Sequence, residues 1–136
     1  SGLFATDAMK FNVNLDMIGR TTKENNETGS HYVVASEKYM PAVRPFVDEI
    51  NDRGPAISLL YESRHSGSSD HASFNAAGIP AFFFFSGRHE DLHLPTDDAE
   101  KIEYDKAVKI SKLAYEITLE LANMDEVPDY ISEAGE

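Results

Sequence analysis

The segment that most constrains the fold is the run from Ala81 to Phe85, which is apolar at every position. A strand with one face in water alternates apolar and polar residues, whereas a strand covered on both faces is apolar throughout. The run therefore predicts a central strand of an α/β sheet that has helices on both faces.

The rest of the chain alternates strand and helix patterns, as such a fold requires. The alternation of apolar and polar residues over 10–18 predicts a strand that Gly19 ends. The remaining predicted elements are strands over 31–36 and 57–61, and helices from Pro41 to Gly54, from an N-cap at Ser69 to Gly78, and from Tyr104 for about five turns. Together they predict a mixed or mostly parallel sheet within a single domain.

Composition removes several classes of function. The chain has 136 residues, with 24 acidic against 12 basic side chains and a net charge of -12, so nucleic acid and anionic lipid surfaces would repel it. It has no cysteine, which excludes disulfides, thiol catalysis and cysteine-ligated metals. The longest apolar stretch, 79–85, is far shorter than the roughly 20 residues of a membrane span. The first residues lack a signal-peptide pattern, so we expect either a cytosolic protein or an excised piece of a longer one.

Two side chains stand out as possible metal ligands. Asp16 closes the alternating strand, where a buried carboxylate needs compensation from the turn at Gly19, from Arg20 or from a metal ion. His93 lies two residues before Pro95, which stiffens the backbone, and Asp97 could fix one imidazole nitrogen while leaving the other free for a cation. His89 lies in the same polar stretch and is predicted at the surface or rim of any site.

The sequence Ser69-Asp70-His71 does not indicate a serine hydrolase. Members of a catalytic triad meet in space from separate loops, and no Gly-x-Ser-x-Gly elbow is present. Asp70 and His71 are interpreted either as the cap and first turn of a helix or as the wall of a site.

Three motifs in order resemble peptidase family M28, the zinc aminopeptidases. They are NLDMIGR at 14–20, SDHASFNAAGIPAFFFFSG at 69–87 and DLHLPTDDAEKI at 91–102, and the similarity extends over about residues 10–123. The resemblance implies that Asp16 binds one zinc ion and that His93 binds the other. It also implies a role for Asp97 in supporting His93, and a place on the substrate side of the site, lining it or just behind it, for Ser69, Asp70 and His71.

The resemblance also implies a chemistry. Two zinc ions polarise the scissile carbonyl and hold a hydroxide, while a glutamate moves the proton and the free amino end of a peptide substrate docks beside them.

The chain departs from the family pattern at two motifs. A His-x-Asp motif and a Glu-Glu pair precede the LDM strand in the family; here no Glu-Glu pair exists, and the only His-x-Asp, at 89–91, follows that strand. We therefore identify no catalytic residue. We expect residues 1–136 to be the carboxyl-terminal portion of a catalytic domain with a frayed tail at 125–136, binding zinc weakly or not at all. An exposed sheet edge and apolar face should then cause self-association.

The predicted function is that of part of a secreted or periplasmic dinuclear zinc aminopeptidase, inactive as this segment alone. Two alternatives remain open at this point. One is a non-catalytic interaction module on the same fold, and the other is a single-zinc transferase resembling glutaminyl cyclase.

Overall fold

The computed structural model describes residues 8–22 and 30–125. Its strands are β1 (Asn12–Leu15), β2 (His31–Ala35), β3 (Leu59–Glu62) and β4 (Ala81–Phe85). Its helices are α1 (Met40–Arg53), α2 (His71–Ala76) and α3 (Tyr104–Asn123), with a short 3-10 helix at Ala99–Lys101. No helix in these two described ranges is long and apolar enough to cross a membrane.

The four strands form one sheet in the order β1-β4-β2-β3. β1 runs parallel to β4 and β2 runs parallel to β3, whereas β2 and β4 are antiparallel. The prediction of a mixed or mostly parallel sheet is confirmed in its mixed form. Because of these directions, the carboxyl ends of β1 and β4 and the amino end of β2 lie at one edge of the sheet, which we call the carboxyl edge.

One face of the sheet packs against α1 and α3. Each helix turns an apolar stripe toward the sheet at spacings of three and four residues, as the amphipathic pattern predicts. The core between them consists of Val33, Ala35, Phe82 and Phe84 from the sheet, Val43, Val47 and Ile50 from α1, and Ile110, Leu113, Ala114, Ile117 and Leu121 from α3. All of these side chains are buried.

The opposite face is covered by α2 and by the segment over 63–70 that leads into it. The ring of His71 lies 4.1 Å from that of Phe83, and the ring of His65 lies 5.2 Å from that of Phe85. The four apolar side chains at the centre of this face are at most 7% exposed: Tyr32, Val34, Phe83 and Phe85. Helices on both faces are thus confirmed. The prediction of an exposed apolar face is wrong, because the segment after β3 crosses it.

β1 and β3 are the edge strands of the described sheet. Each presents one exposed leucine, Leu15 at 39% and Leu60 at 41%. Self-association through a sheet edge stays a prediction.

Three element boundaries differ from the prediction. β1 ends at Leu15, since Met17 has a φ of 55° that a strand cannot accommodate. β3 starts at Leu59, because the backbone of Ile57 is hydrogen-bonded to the side-chain amide of Asn51. α2 begins at His71 with Asp70 as its N-cap residue, and Ser69 does not cap it. Of the predicted polar loop at 21–30, residues 23–29 lie outside the described ranges, as does the predicted tail beyond Asp125.

Candidate functional site

Asp16 stands at the carboxyl edge, directly after β1. Its amide donates to the carbonyl of Phe84 at 3.2 Å, and the amide of Ser86 donates to the carbonyl of Met17 at 3.1 Å. The chain segments leaving β1 and β4 are thereby held side by side. The Asp16 side chain is exposed, so the expectation of a buried carboxylate is wrong: the strand ends before Asp16 and leaves its carboxylate in water.

A short chain of hydrogen bonds fixes the Asp16 carboxylate. Asn14 Nδ2 donates to Ser69 Oγ at 2.9 Å, and Ser69 Oγ donates to Asp16 Oδ2 at 2.9 Å. Asn14 and Asp16 are two positions apart in an extended segment, so both side chains point to the face that α2 covers. Ser69 therefore positions Asp16, which explains why its hydroxyl is not used as a helix cap.

Arg20 does not pair with Asp16, although the two are close in sequence. Its guanidinium donates to Asp91 at 2.8 Å and to Asp97 at 3.1 Å. Both carboxylates belong to the segment that follows β4. Arg20 therefore ties the segment after β1 to the segment after β4, and Asp16 is left without this cation.

Asp91 is the buried centre of that link. Lys101 Nζ donates to Asp91 Oδ1 at 2.7 Å, while Arg20 occupies Oδ2. Hydrogen bonds from Lys101, Arg20 and Thr96, in that order of effect, hold the pKa of Asp91 well below its usual range. Asp91 is therefore ionised at neutral pH.

In the sequence, His93 lies between Asp91 and Asp97, the two residues that Arg20 contacts. It is exposed and has a φ of 59°, within a turn closed by the amide of Leu94 donating to the carbonyl of Asp91 at 2.8 Å. Histidine tolerates this left-handed conformation better than β-branched residues do. The turn follows β4, so it belongs to the same edge of the sheet as Asp16.

The described contacts of Asp97 are with Arg20 and with His89. Its Oδ2 lies 3.9 Å from His89 Nε2, while its Oδ1 accepts from Arg20. The side chain of His89 is only 7% exposed, so the prediction that it lies at the surface or rim is wrong. Its ring is buried, and its Nδ1 has no hydrogen-bond partner among the described residues.

The other residues predicted near substrate differ in accessibility. Asp70 is exposed at the start of α2, and its side chain makes no capping hydrogen bond. His71 is fully buried against Phe83 and offers no surface to a substrate. Burial lowers the pKa of His71, and the nearby carbonyls of His65 and Ser66 only partly oppose this.

The metal-binding capacity of the described residues is limited. Within 8–22 and 30–125, no group of three or more His, Asp and Glu side chains could hold a metal ion. A catalytic zinc ion usually has three protein ligands. The residues present therefore do not make up a complete zinc centre, although Asp16 offers an exposed, oriented carboxylate.

Several residues of this edge were not singled out from the sequence. Asn14 donates to Ser69 across 55 positions and Lys101 donates to Asp91 across 10 positions, and neither bond leaves a local pattern in the sequence. The imidazole of His65 contacts the carboxylate of Glu62 and lies beside the rings of Tyr32 and Phe85. The spacing of Glu62 and His65 by three residues was the one feature of the sequence that could have indicated this contact. That spacing brings the two side chains together only if the backbone between them forms a turn.

Comparison with known proteins agrees with the resemblance to peptidase family M28. The model of the family described as Peptidase family M28 matches residues 3–118. Among solved structures, the LapA aminopeptidase of Legionella pneumophila is 25% identical with a TM-score of 0.70, over 85% of this chain and 32% of that one. BSAP, a zinc aminopeptidase from Bacillus subtilis, is 25% identical with a TM-score of 0.67, over 85% of this chain and 29% of that one.

An aminopeptidase from Aneurinibacillus sp. strain AM-1 shares the fold at 24% identity and a TM-score of 0.67, over 87% of this chain and 27% of that one. No curated protein sequence matches the chain. The chain thus spans about a third or less of the solved structures that it resembles.

Proposed function

This chain belongs to peptidase family M28, and we propose that it forms part of the catalytic domain of a zinc aminopeptidase. The substrate would be a peptide with a free amino end, from which the enzyme removes terminal residues. The 25% identity to LapA and BSAP supports this choice within the family. Under the same proposal, the complete enzyme is secreted or periplasmic.

The observation that carries the proposal is the junction at the carboxyl edge. Asp16 follows β1, His93 follows the neighbouring parallel strand β4, and Arg20 joins the two segments through Asp91 and Asp97. The ends of neighbouring parallel strands are where α/β proteins commonly place their chemistry. The joined segments give a carboxylate and an imidazole a fixed common support.

We assign one role to each residue of this edge. Asp16 is a ligand to one zinc ion and His93 is a ligand to the other, so each supplies a single donor. Ser69 holds the carboxylate of Asp16, and Asp70, which is exposed, faces the substrate. His71 supports this wall from behind, since it is buried. Asp97 supports His93 indirectly, through its bond to Arg20, which holds the segment that carries His93.

The remaining ligands and the general base would come from residues outside this set. The described residues contain no group of three metal-binding side chains, and the relatives are about three times longer. We therefore expect the 136-residue chain alone to bind zinc weakly or not at all and to hydrolyse no peptide.

The experiment measures hydrolysis of an aminoacyl anilide by the complete catalytic domain that contains this chain. Asp16→Ala and His93→Ala should each lower kcat/KM by several powers of ten, and bound zinc should fall in parallel. Asp52→Ala, an exposed change on α1, serves as the control and should leave both values unchanged. Turnover that survives both site substitutions would overturn the assignment.

The same preparation distinguishes the alternatives. A domain that contains no zinc and cleaves no anilide would be a non-catalytic module. A domain that cyclises amino-terminal glutamine without cleaving anilides would be a transferase resembling glutaminyl cyclase.

A further inference from the structure

Residues 16–21 form neither helix nor strand, yet other parts of the chain hold the backbone of each of them. We call these residues the Asp16 segment. Asp16 and Met17 are bonded to the end of β4, and His31 Nε2 on β2 donates to the carbonyl of Ile18 at 3.3 Å. A loop whose backbone groups are bonded one after another is restricted to one conformation.

The start of α3 holds the second half of the Asp16 segment. The amide of Glu103, the N-cap residue of α3, donates to the carbonyl of Gly19 at 2.8 Å. Lys106 Nζ donates to the carbonyl of Arg20, also at 2.8 Å. The carboxylate of Glu103 accepts from the amide and from the hydroxyl of Thr21. Three consecutive residues are therefore fixed by the first turn of one helix.

Gly19 allows this close approach. A Cβ at Gly19 would lie 3.3 Å from Cγ2 of Ile102, the residue that directly precedes Glu103. A contact that short would require one of the two chain segments to shift, and glycine avoids it because it has no side chain. The sequence of the Asp16 segment is thus adapted to the start of α3.

Lys106 is the buried member of this arrangement. The residue is 8% exposed, and burial lowers the pKa of its ammonium group, an effect that the negative charge of Glu103 only partly opposes. An apolar side chain would fill the same place without the cost of burying a charge. It could not, however, donate to the carbonyl of Arg20 or approach the hydroxyl of Thr21, which lies 3.4 Å from Nζ. Lys106 therefore contributes contacts with the Asp16 segment rather than apolar packing.

We propose that Lys106 and Glu103 are positioning residues for Asp16 and, through Arg20, for the turn that carries His93. Both residues fix the backbone that bears the Asp16 carboxylate. The same backbone bears the Arg20 guanidinium, which bonds the segment after β4. The inference rests on the proposed function, because that function gives Asp16 and His93 their roles.

The two sides of the carboxyl edge should depend on α3 in different ways. Lys106→Met removes a backbone bond of the Asp16 segment, so it should loosen both Asp16 and the arm that reaches the segment after β4. Arg20→Met leaves the carbonyl of residue 20 bonded to Lys106 and removes only that arm. It should therefore loosen the turn that carries His93 and leave Asp16 in place.

The first experiment measures amide hydrogen exchange in the complete catalytic domain that contains this chain. Lys106→Met should raise exchange at the amides of Asp16 and Thr21 by roughly tenfold, because loss of the donor to Arg20 makes local opening of the Asp16 segment easier. Exchange within β2 and β4 should stay unchanged. Lys109→Met, at an exposed position on the same helix, is the matched control and should change neither.

Two results would overturn the positioning role of Lys106. One is an equal rise of exchange in the Asp16 segment and in the two central strands, since Lys106 would then only stabilise the fold as a whole. The other is a domain that folds with Lys106→Met and shows no rise in the Asp16 segment.

Glu103 provides an independent variant if Lys106→Met fails to fold. Glu103 is exposed, so Glu103→Ala removes both bonds to Thr21 without opening the core. Exchange of the Thr21 amide should rise with Glu103→Ala, and Glu103→Gln, which keeps an acceptor oxygen, should restore most of the protection. A Glu103→Ala domain whose Thr21 amide exchanges as slowly as before would contradict the proposal.

The second experiment measures the affinity of the same domain for Zn²⁺ by competition with a chelator. Lys106→Met should lower this affinity by roughly tenfold or more, as the loss of contacts behind a metal ligand does. In a domain that already carries Asp16→Ala, the same change should have a smaller effect, because the part that acts through Asp16 is already lost. Effects that add in full would contradict the positioning role.

The zinc measurements also separate this inference from the proposed function. An affinity unchanged by Asp16→Ala would overturn the proposed function and this inference with it. An affinity that falls with Asp16→Ala and is kept with Lys106→Met would overturn this inference alone.

Discussion

Ser69 Oγ donates a hydrogen bond to Asp16 Oδ2 at 2.9 Å across 53 residues of sequence. The same oxygen accepts from Asn14 Nδ2 at 2.9 Å, so the hydroxyl joins two side chains of one strand to the loop before α2. The direction of the Asp16 carboxylate is therefore set by a residue that contributes nothing to the strand itself.

Replacing Ser69 by alanine should disturb both partners of its hydroxyl. Asp16 loses its donor and Asn14 loses its acceptor, so the free energy of unfolding should fall by about 1 kcal/mol in urea denaturation. If Asp16 is a zinc ligand, zinc affinity of the complete domain should also fall by roughly 10- to 100-fold. Ser68→Ala is the matched control, because Ser68 Oγ donates only to the carbonyl of His65. Equal losses in the two variants would contradict the positioning role.

Arg20→Met should destabilise the chain much more than the loss of an ordinary surface ion pair does. The Asp91 side chain is 9% exposed and would lose one of its two basic partners. Arg53→Met is the control, because Arg53 and Glu120 form a pair whose side chains are 52% and 41% exposed, where the expected change is about 0 to 1 kcal/mol. The urea midpoints of the two variants test the prediction, which fails if they coincide.

The elements that were predicted correctly are those with a strong local pattern. The apolar run of β4 and the spacing of apolar residues by three and four in α3 each indicate which side chains are buried from the sequence of that element alone. The ends of β1 and β3 were missed because tertiary contacts set them, the φ of Met17 in one case and the side chain of Asn51 in the other. The antiparallel pairing of β2 with β4 leaves no signal in either strand alone.

The residues of the candidate site could be predicted from the sequence, but the contacts between them could not. Asp16 and Ser69 were identified from motifs, yet the bond between them joins positions 53 apart. Arg20 was considered as a partner of Asp16 because the two are close in sequence. It pairs instead with Asp91 and Asp97, which are so far from it in sequence that no local pattern indicates these ion pairs. His89 was placed at the surface because its segment is polar, whereas the turn after β4 folds its ring inward.

Gly78 and Gly67 should respond differently to replacement by alanine. Gly78 has a φ of 77°, where an L side chain is strained, so Gly78→Ala should lower the free energy of unfolding by about 1 to 2 kcal/mol. A Cβ on Gly67 would meet no atom within 4 Å, and its φ is not in the left-handed region. Gly67→Ala should therefore leave the free energy of unfolding unchanged or raise it by about 0.5 kcal/mol. Urea denaturation compares them, and a loss at Gly67 as large as at Gly78 would contradict the backbone argument.

His31 should make the folded state less stable in acid. Burial, helped by the charge of Lys106, lowers the pKa of His31 from 6.5 to about 4, although its Nε2 donates to the carbonyl of Ile18 at 3.3 Å. Between these two values the unfolded chain binds a proton that the folded chain does not, so the free energy of unfolding should fall as pH falls from 6.5 to 4. The full loss from this one group is roughly 3 kcal/mol. Urea denaturation at several pH values should show a shallower dependence of the free energy of unfolding on pH for His31→Gln than for the unmodified chain.

His71 and Asp91, whose own pKa shifts act in the same direction, are present in both proteins, so their contributions cancel in the comparison. Identical pH dependence in the two proteins would show that His31 is not held neutral by the fold.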